Sequence, residues 1–201
     1  MFKKHKFICF MTGLAVLSLS ALVACTDNEA AAAGTQSTDP VYYDAQIYAE
    51  LNGVTIDEAL RRFELQNAAG DLDAALTANE ADTFAGLWLE HQPEFKVVVA
   101  FTKDGETTIQ KYLTEELADV VELRTADKTI TELEKIQMDF SNSLKSLNII
   151  ADSYCNIPES KVIFLIRNSD KDLFDSYVNN GYITVPDKVY IEFVDELIQP
   201  E

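Results

Sequence analysis

The groups in this 201-residue chain that could make or break bonds are few: three cysteines, two histidines and an excess of carboxylates, 34 acidic residues against 16 basic. A hydroxyl or thiol nucleophile needs a base held beside it, most often a histidine. His5 lies in the cationic start of the chain, which leaves His91 for that role. His91 ends an apparent strand, in register with Ala85, Leu87 and Leu89, and reads as a turn or core-rim residue. The sequence has no G-x-S-x-G elbow, no Gly-rich phosphate loop, and no His or Cys pair at a metal-ligand spacing. Asp71 with Asp73 and Asp170 with Asp172 lack the further oxygen ligands and central glycine of a calcium loop. They read as carboxylates in the first turns of helices, where the dipole favours negative charge. Cys155, after Tyr154 in a strand, and Trp88, the lone tryptophan, read as packed residues. The expectation is therefore no catalytic residue, no metal and no cofactor, with a hydrolase using His91 and carboxylates as the alternative.

The remaining reactive group is the thiol of Cys25. It closes Leu22-Val23-Ala24-Cys25, which follows a cationic start (Lys3, Lys4, Lys6) and an apolar run over 7–24. That order is the charged region, hydrophobic region and small-residue site of an export signal. An uncleaved membrane anchor is the competing reading, since the run could just span a bilayer; Thr12, Gly13, Ser18 and Ser20 dilute it. The four residues resemble the lipobox of bacterial lipoproteins. The resemblance implies a diacylglycerol on the Cys25 sulfur, cleavage between Ala24 and Cys25, and anchoring to the membrane through lipid, permanent once more than one acyl chain is attached. Thr26 rather than Asp follows, which by the sorting rule of Gram-negative envelopes implies the outer membrane where one exists. Residues 1–24 are thus expected to be a signal peptide. Residues 25–41, which begin CTDNEAAAAGTQSTDP without a large aliphatic or aromatic residue before Val41, are expected to be a lipidated flexible tether.

Losing Lys3, Lys4 and Lys6 with the signal lowers the basic count from 16 to 13 against the same 34 acidic residues, a net charge of −21 rather than −18. Nucleic-acid affinity comes from Lys and Arg neutralising phosphates, so nucleic acid is excluded as a partner. Cys9 leaves with the signal and Cys25 is the lipid site. Cys155 then stands alone, which rules out a structural disulfide within the chain.

The rest of the chain must supply a fold. Thr55-Ile56-Asp57-Glu58 is a capping box, and Ile56, Leu60 and Phe63 follow at turn spacing. This predicts a helix over 56–69, interrupted by Gly70, and a second piece over 72–79. The period then changes: FAGLWLEH, the turn Gln92-Pro93-Glu94 and FKVVVAFT predict a hairpin, followed by a short helix over 108–117 and a strand over 120–125. Leu133, Ile136, Phe140, Leu144 and Leu147 mark a helix over 129–147. Strands over 149–155 and 161–166, a helix over 170–179 capped by Gly181, and a last strand with Val189, Ile191 and Phe193 complete the pattern. The predicted fold is α+β, two tandem αββαβ units with antiparallel sheets over 42–126 and 127–201. With the strand at Val120 the second half becomes βαββαβ, a ferredoxin-like order.

FAGLWLEHQPEFKVVVAFT, VVELRTADKTITELEKI and SYCNIPESKVIFLI together resemble the pro-region of α-lytic protease and streptogrisin-type secreted serine proteases. Trp88 with Val97, Val98 and Val99 matches the first unit of that pattern, and Tyr154 with Val162 and Ile163 the second. In that family a chymotrypsin-like domain follows; here the sequence stops at Glu201, and the expectation is a module without its own protease. The resemblance implies a protein-binding surface, that of an inhibitor or folding assistant for a chymotrypsin-like serine protease; with the lipobox and the missing catalytic motifs, the expectation is a non-enzymatic envelope lipoprotein. The contact is expected at the second unit, around Val189, Ile191 and Phe193. A purely structural envelope lipoprotein is the remaining alternative.

Overall fold

The computed structural model of the chain describes residues 39–197. The expected signal peptide, the expected lipobox (Leu22, Val23, Ala24, Cys25) and residues 25–38 of the expected tether lie outside them. The first described element is a helix absent from the sequence expectation, α1 (Pro40–Asn52). Its start is set by Asp39, whose carboxylate accepts from Val41 N at 3.0 Å, and by Pro40, whose missing N–H costs nothing in a first turn. The last two residues given to the tether, Pro40 and Val41, are therefore helical.

Helix α2 (Ile56–Asn79) follows, capped by Thr55. It runs unbroken through Gly70, contrary to expectation. One helical glycine costs about 1 kcal/mol, and Leu65, Ala69, Leu72 and Leu76 bury a continuous stripe across it. Asp71 and Asp73 accordingly sit in mid-helix, not in a first turn as expected. Next come β1 (Phe84–Glu90), β2 (Lys96–Phe101), the short α3 (Gly105–Ile109) and β3 (Val121–Thr125). The helix expected over 108–117 is thus displaced toward the glycine and shortened, and turns lead on to buried Leu117.

The second unit repeats the order: α4 (Ile130–Ser146), β4 (Ala151–Asn156), β5 (Lys161–Arg167), α5 (Lys171–Asn179) and β6 (Val189–Val194). A complete capping box starts α4, with Thr129 and Glu132 exchanging side-chain and backbone bonds. Gly181, at φ 75°, supplies the left-handed residue after α5.

The fold is α+β, with two three-stranded sheets ordered β1-β2-β3 and β4-β5-β6. Each is mixed rather than purely antiparallel: the hairpins β1/β2 and β4/β5 are antiparallel, while β2/β3 and β5/β6 pair in parallel across a helical crossover. The ferredoxin-like order for the second half is not confirmed, since β3 pairs with β2 and β5 with β6 directly. Val97, Val99 and Phe101 pack with α2 in one core; Leu133, Phe140 and Leu144 pack with Val162, Phe164 and Ile166 in the other. Ala45, Ala49 and Ala59 let α1 and α2 approach closely.

The units meet where the β4–β5 turn reaches the outer face of the first sheet. Gly86, at φ 125° beside a bulge in β1, has no side chain there, and Ile157 fills the space.

Candidate functional site

Val189, Ile191 and Phe193 lie on β6, an edge strand of the second sheet. Their side chains turn inward and pack with Phe164, Ile166 and Phe174; Phe174 and Phe193 meet edge to face at 5.9 Å. Their backbones behave differently. Val162 donates its N–H to Lys188 O at 2.7 Å, and Val162, Phe164 and Ile166 stand opposite Val189, Ile191 and Phe193. In a parallel ladder a residue so placed turns its own N–H and C=O away from the neighbour. The N–H of Val189 folds back to Pro186 O at 3.2 Å, so Ile191 and Phe193 are left to present donors and acceptors outward along the edge. No strand pairs beyond β6 among the described residues.

The side chains offered to solvent beside that edge come from the other phase of the alternation. Tyr154, Ile163 and Tyr190 stand in one row across β4, β5 and β6. Ile163 is buried, while Tyr154 is 48% and Tyr190 52% exposed. Lys161 Nζ sits 4.8 Å over the Tyr190 ring. The next row is Asp152, Leu165 and Glu192. The apolar phase of the β6 alternation, Val189, Ile191 and Phe193, does not reveal Tyr190, which lies on the opposite phase.

The corresponding face of the first sheet carries an ion-pair network instead. Trp88 and Val98 occupy the places of Tyr154 and Ile163, but Glu122 stands where Tyr190 does. Lys96 binds Glu122 at 2.6 Å, and Arg124 reaches Glu122 at 2.8 Å and Glu90 at 2.9 Å. The Arg124 guanidinium lies 5.3 Å over the Trp88 ring, whose Nε1 donates to Glu90 at 3.2 Å. The bonds from Lys96 and then Arg124 hold the Glu122 carboxyl below its usual range, and the bond from Arg124 does the same to Glu90. Trp88 is thus half-buried on the outer face under a charged lid, not in the core as expected.

His91 follows β1 directly, as the register suggested. Its Nδ1 lies 2.7 Å from the Tyr48 hydroxyl. Arg62, buried despite its charge, donates Nη1 to His91 O at 3.3 Å and to the Tyr48 hydroxyl at 3.4 Å, and Nε to Glu58 at 2.8 Å. The ring of Phe95 lies 5.5 Å beneath that guanidinium. Bonds from Arg61 and Arg62 pull the Glu58 carboxyl down to about 2. Imidazole and hydroxyl are brought together, but the carboxylate is held by two guanidinium groups rather than by the imidazole. The arrangement ties the β1–β2 turn to α1 and α2, with Gln92 Nε2 donating to Asn52 O at 2.9 Å as a further tie.

The carboxylates a hydrolase would need lie elsewhere. Asp73 and Glu134 line a cleft of about 380 Å³ with Phe84, Leu87, Ile130 and Ile157, and His91 is not part of its wall. Burial pushes the Asp73 carboxyl up. Cys155 donates to Gln137 Oε1 at 3.4 Å; burial and then the Glu134 charge push its thiol up, away from the thiolate a nucleophile requires. Asp170 pairs with Arg167, and Asp172 lies in the first turn of α5 as expected. Among the described residues no three His, Cys, Asp or Glu side chains gather as a metal site, and no helix is long and apolar enough to cross a membrane. The chain matches no protein-family model, and no curated protein matches it in sequence.

Proposed function

We propose that this chain is a lipid-anchored, non-enzymatic protein-binding module of the cell envelope, and that its partner docks on the second αββαβ unit. One observation carries this reading: on the first sheet's outer face Arg124 and its ion pairs lie over a half-buried Trp88, whereas the second sheet leaves two half-exposed tyrosines beside an edge with outward-facing backbone groups. An incoming strand would take its affinity from main-chain pairing at Ile191 and Phe193 and its selectivity from Tyr190 and Glu192. The pro-region resemblance names the partner class, a chymotrypsin-like serine protease. The cationic start, the apolar run over 7–24 and the Leu22-Val23-Ala24-Cys25 sequence that closes it support the anchor at the membrane surface.

The soluble chain from Thr26 titrated into a fluorogenic peptide assay tests the partner, with a protease of the α-lytic type and one secreted by the same cell. Inhibition without turnover of the chain is expected. Ile191→Pro is the matched control: its N–H points away from β5, so proline removes a donor to the partner and leaves the β5 ladder intact. No inhibition at tens of micromolar refutes the protease partner.

A further inference from the structure

Helix α1 carries apolar side chains on two opposite sides. Ala45 and Ala49 are buried against α2. On the other side, at successive intervals of four, Tyr43, Ile47 and Leu51 are 61%, 43% and 80% exposed. At about 100° per residue this is one stripe, edged by Asp44 and Glu50. Each apolar stripe of a helix is ordinarily covered, and here only the side of Ala45 and Ala49 is covered by the described residues.

The position of the stripe says what covers the other. It begins four residues after Asp39, where the described chain starts, and residues 26–38 separate Asp39 from Cys25. Even fully extended, at about 3.5 Å per residue, that stretch keeps α1 within about 50 Å of the Cys25 sulfur. No basic residue occurs in α1, and Asp44 and Glu50 would be repelled by an anionic surface. Tyrosine at the rim of an apolar stripe suits the headgroup boundary, with its ring in the acyl region and its hydroxyl in water.

We infer that α1 lies on the membrane through Tyr43, Ile47 and Leu51, against a zwitterionic phospholipid surface, and so fixes how the anchored domain is oriented. This rests on the lipid anchor at Cys25. With α1 down, the domain is held against the lipid rather than swinging on its anchor, and the second sheet is presented at a fixed attitude to a partner.

The test uses the full lipidated chain in phosphatidylcholine vesicles, with Cys155→Ser to remove the other thiol. A nitrobenzoxadiazole fluorophore is placed at Ile47→Cys or Leu51→Cys, and at Met138→Cys as an exposed control on α4. A palmitate analogue reports the anchor independently. Labelled chain whose 47 and 51 probes are blue-shifted and quenched by doxyl-phosphatidylcholine at least about threefold more than the 138 probe is the expected result. Equal quenching at all three positions in palmitate-labelled chain overturns the inference and leaves the anchor standing. Blue shift at 47 and 51 without doxyl quenching also overturns it, assigning the stripe to a protein surface or a second copy. No palmitate incorporation overturns the anchor and this inference with it.

Discussion

Replacing Gly86 with alanine tests how the two units are joined. A Cβ built at Gly86 would stand 2.4 Å from Ile157 Cγ2, well inside contact distance. The isoleucine cannot step aside cheaply, because its branched Cβ restricts χ1. The backbone adds a separate cost, since φ is 125° at this position and a side chain held in such a region costs about 1–3 kcal/mol. Overpacking costs about 1–3 kcal/mol more. Gly86→Ala should therefore destabilise the soluble chain from Thr26 by about 2–6 kcal/mol. Urea unfolding followed by the fluorescence of Trp88, two residues along the same strand, measures it. Ile157→Ala separates the two contributions. In that background the clash is gone and only the backbone cost remains, so the double-mutant cycle should show a favourable coupling of about 1–3 kcal/mol. Additivity within about 0.5 kcal/mol would refute the contact between the β4–β5 turn and the first sheet. A loss below about 1 kcal/mol for Gly86→Ala itself would refute the positive φ as well.

Phe140→Ala should cost about 3–5 kcal/mol in the same assay, because Phe140 is buried and meets Phe164 edge to face at 4.9 Å; a loss below about 1 kcal/mol would show that α4 does not pack on the second sheet. Glu58, held at about 2 in the folded state against an ordinary 4.5, contributes stability that is complete above about 4.5 and lost as pH falls through about 2. Its side chain is partly exposed, so the stability difference between wild type and Glu58→Gln should be on the order of 1 kcal/mol at neutral pH. That difference should shrink between pH 4.5 and 2, and a constant difference over that window would mean the Arg61 and Arg62 bonds do not hold the carboxylate.

Much of the fold was legible because it is written in local periods. The threefold and fourfold spacing of Leu133, Phe140 and Leu144, the Thr55 and Thr129 caps, and the two-residue alternation of Val97, Val99 and Phe101 each encode an element within its own segment. The repeated αββαβ order follows from them. Helix α1 was illegible for the same reason: Ala45 and Ala49 on one side and Tyr43, Ile47 and Leu51 on the other cancel as a periodic signal, and the Asp39-Pro40 start was the remaining clue. Gly70 looked like a helix end because propensity is local, while the burial that carries α2 through it is not.

The sequence by itself determined the repeated αββαβ order from α2 onward, the acidic balance, the scarcity of nucleophiles and bases, and the placement of Cys25 after an apolar run, all properties of composition or short spacing. Only the tertiary structure decided which strands pair in parallel, that the side chains of Val189, Ile191 and Phe193 serve their own core while the Ile191 and Phe193 backbones face outward, and that Tyr154 and Tyr190 share a row. It also decided that His91 belongs to Tyr48 and Arg62, 43 and 29 residues away, rather than to a carboxylate. Pairing register and the covering of a face depend on residues far apart in the chain, and no local period records which distant partner wins.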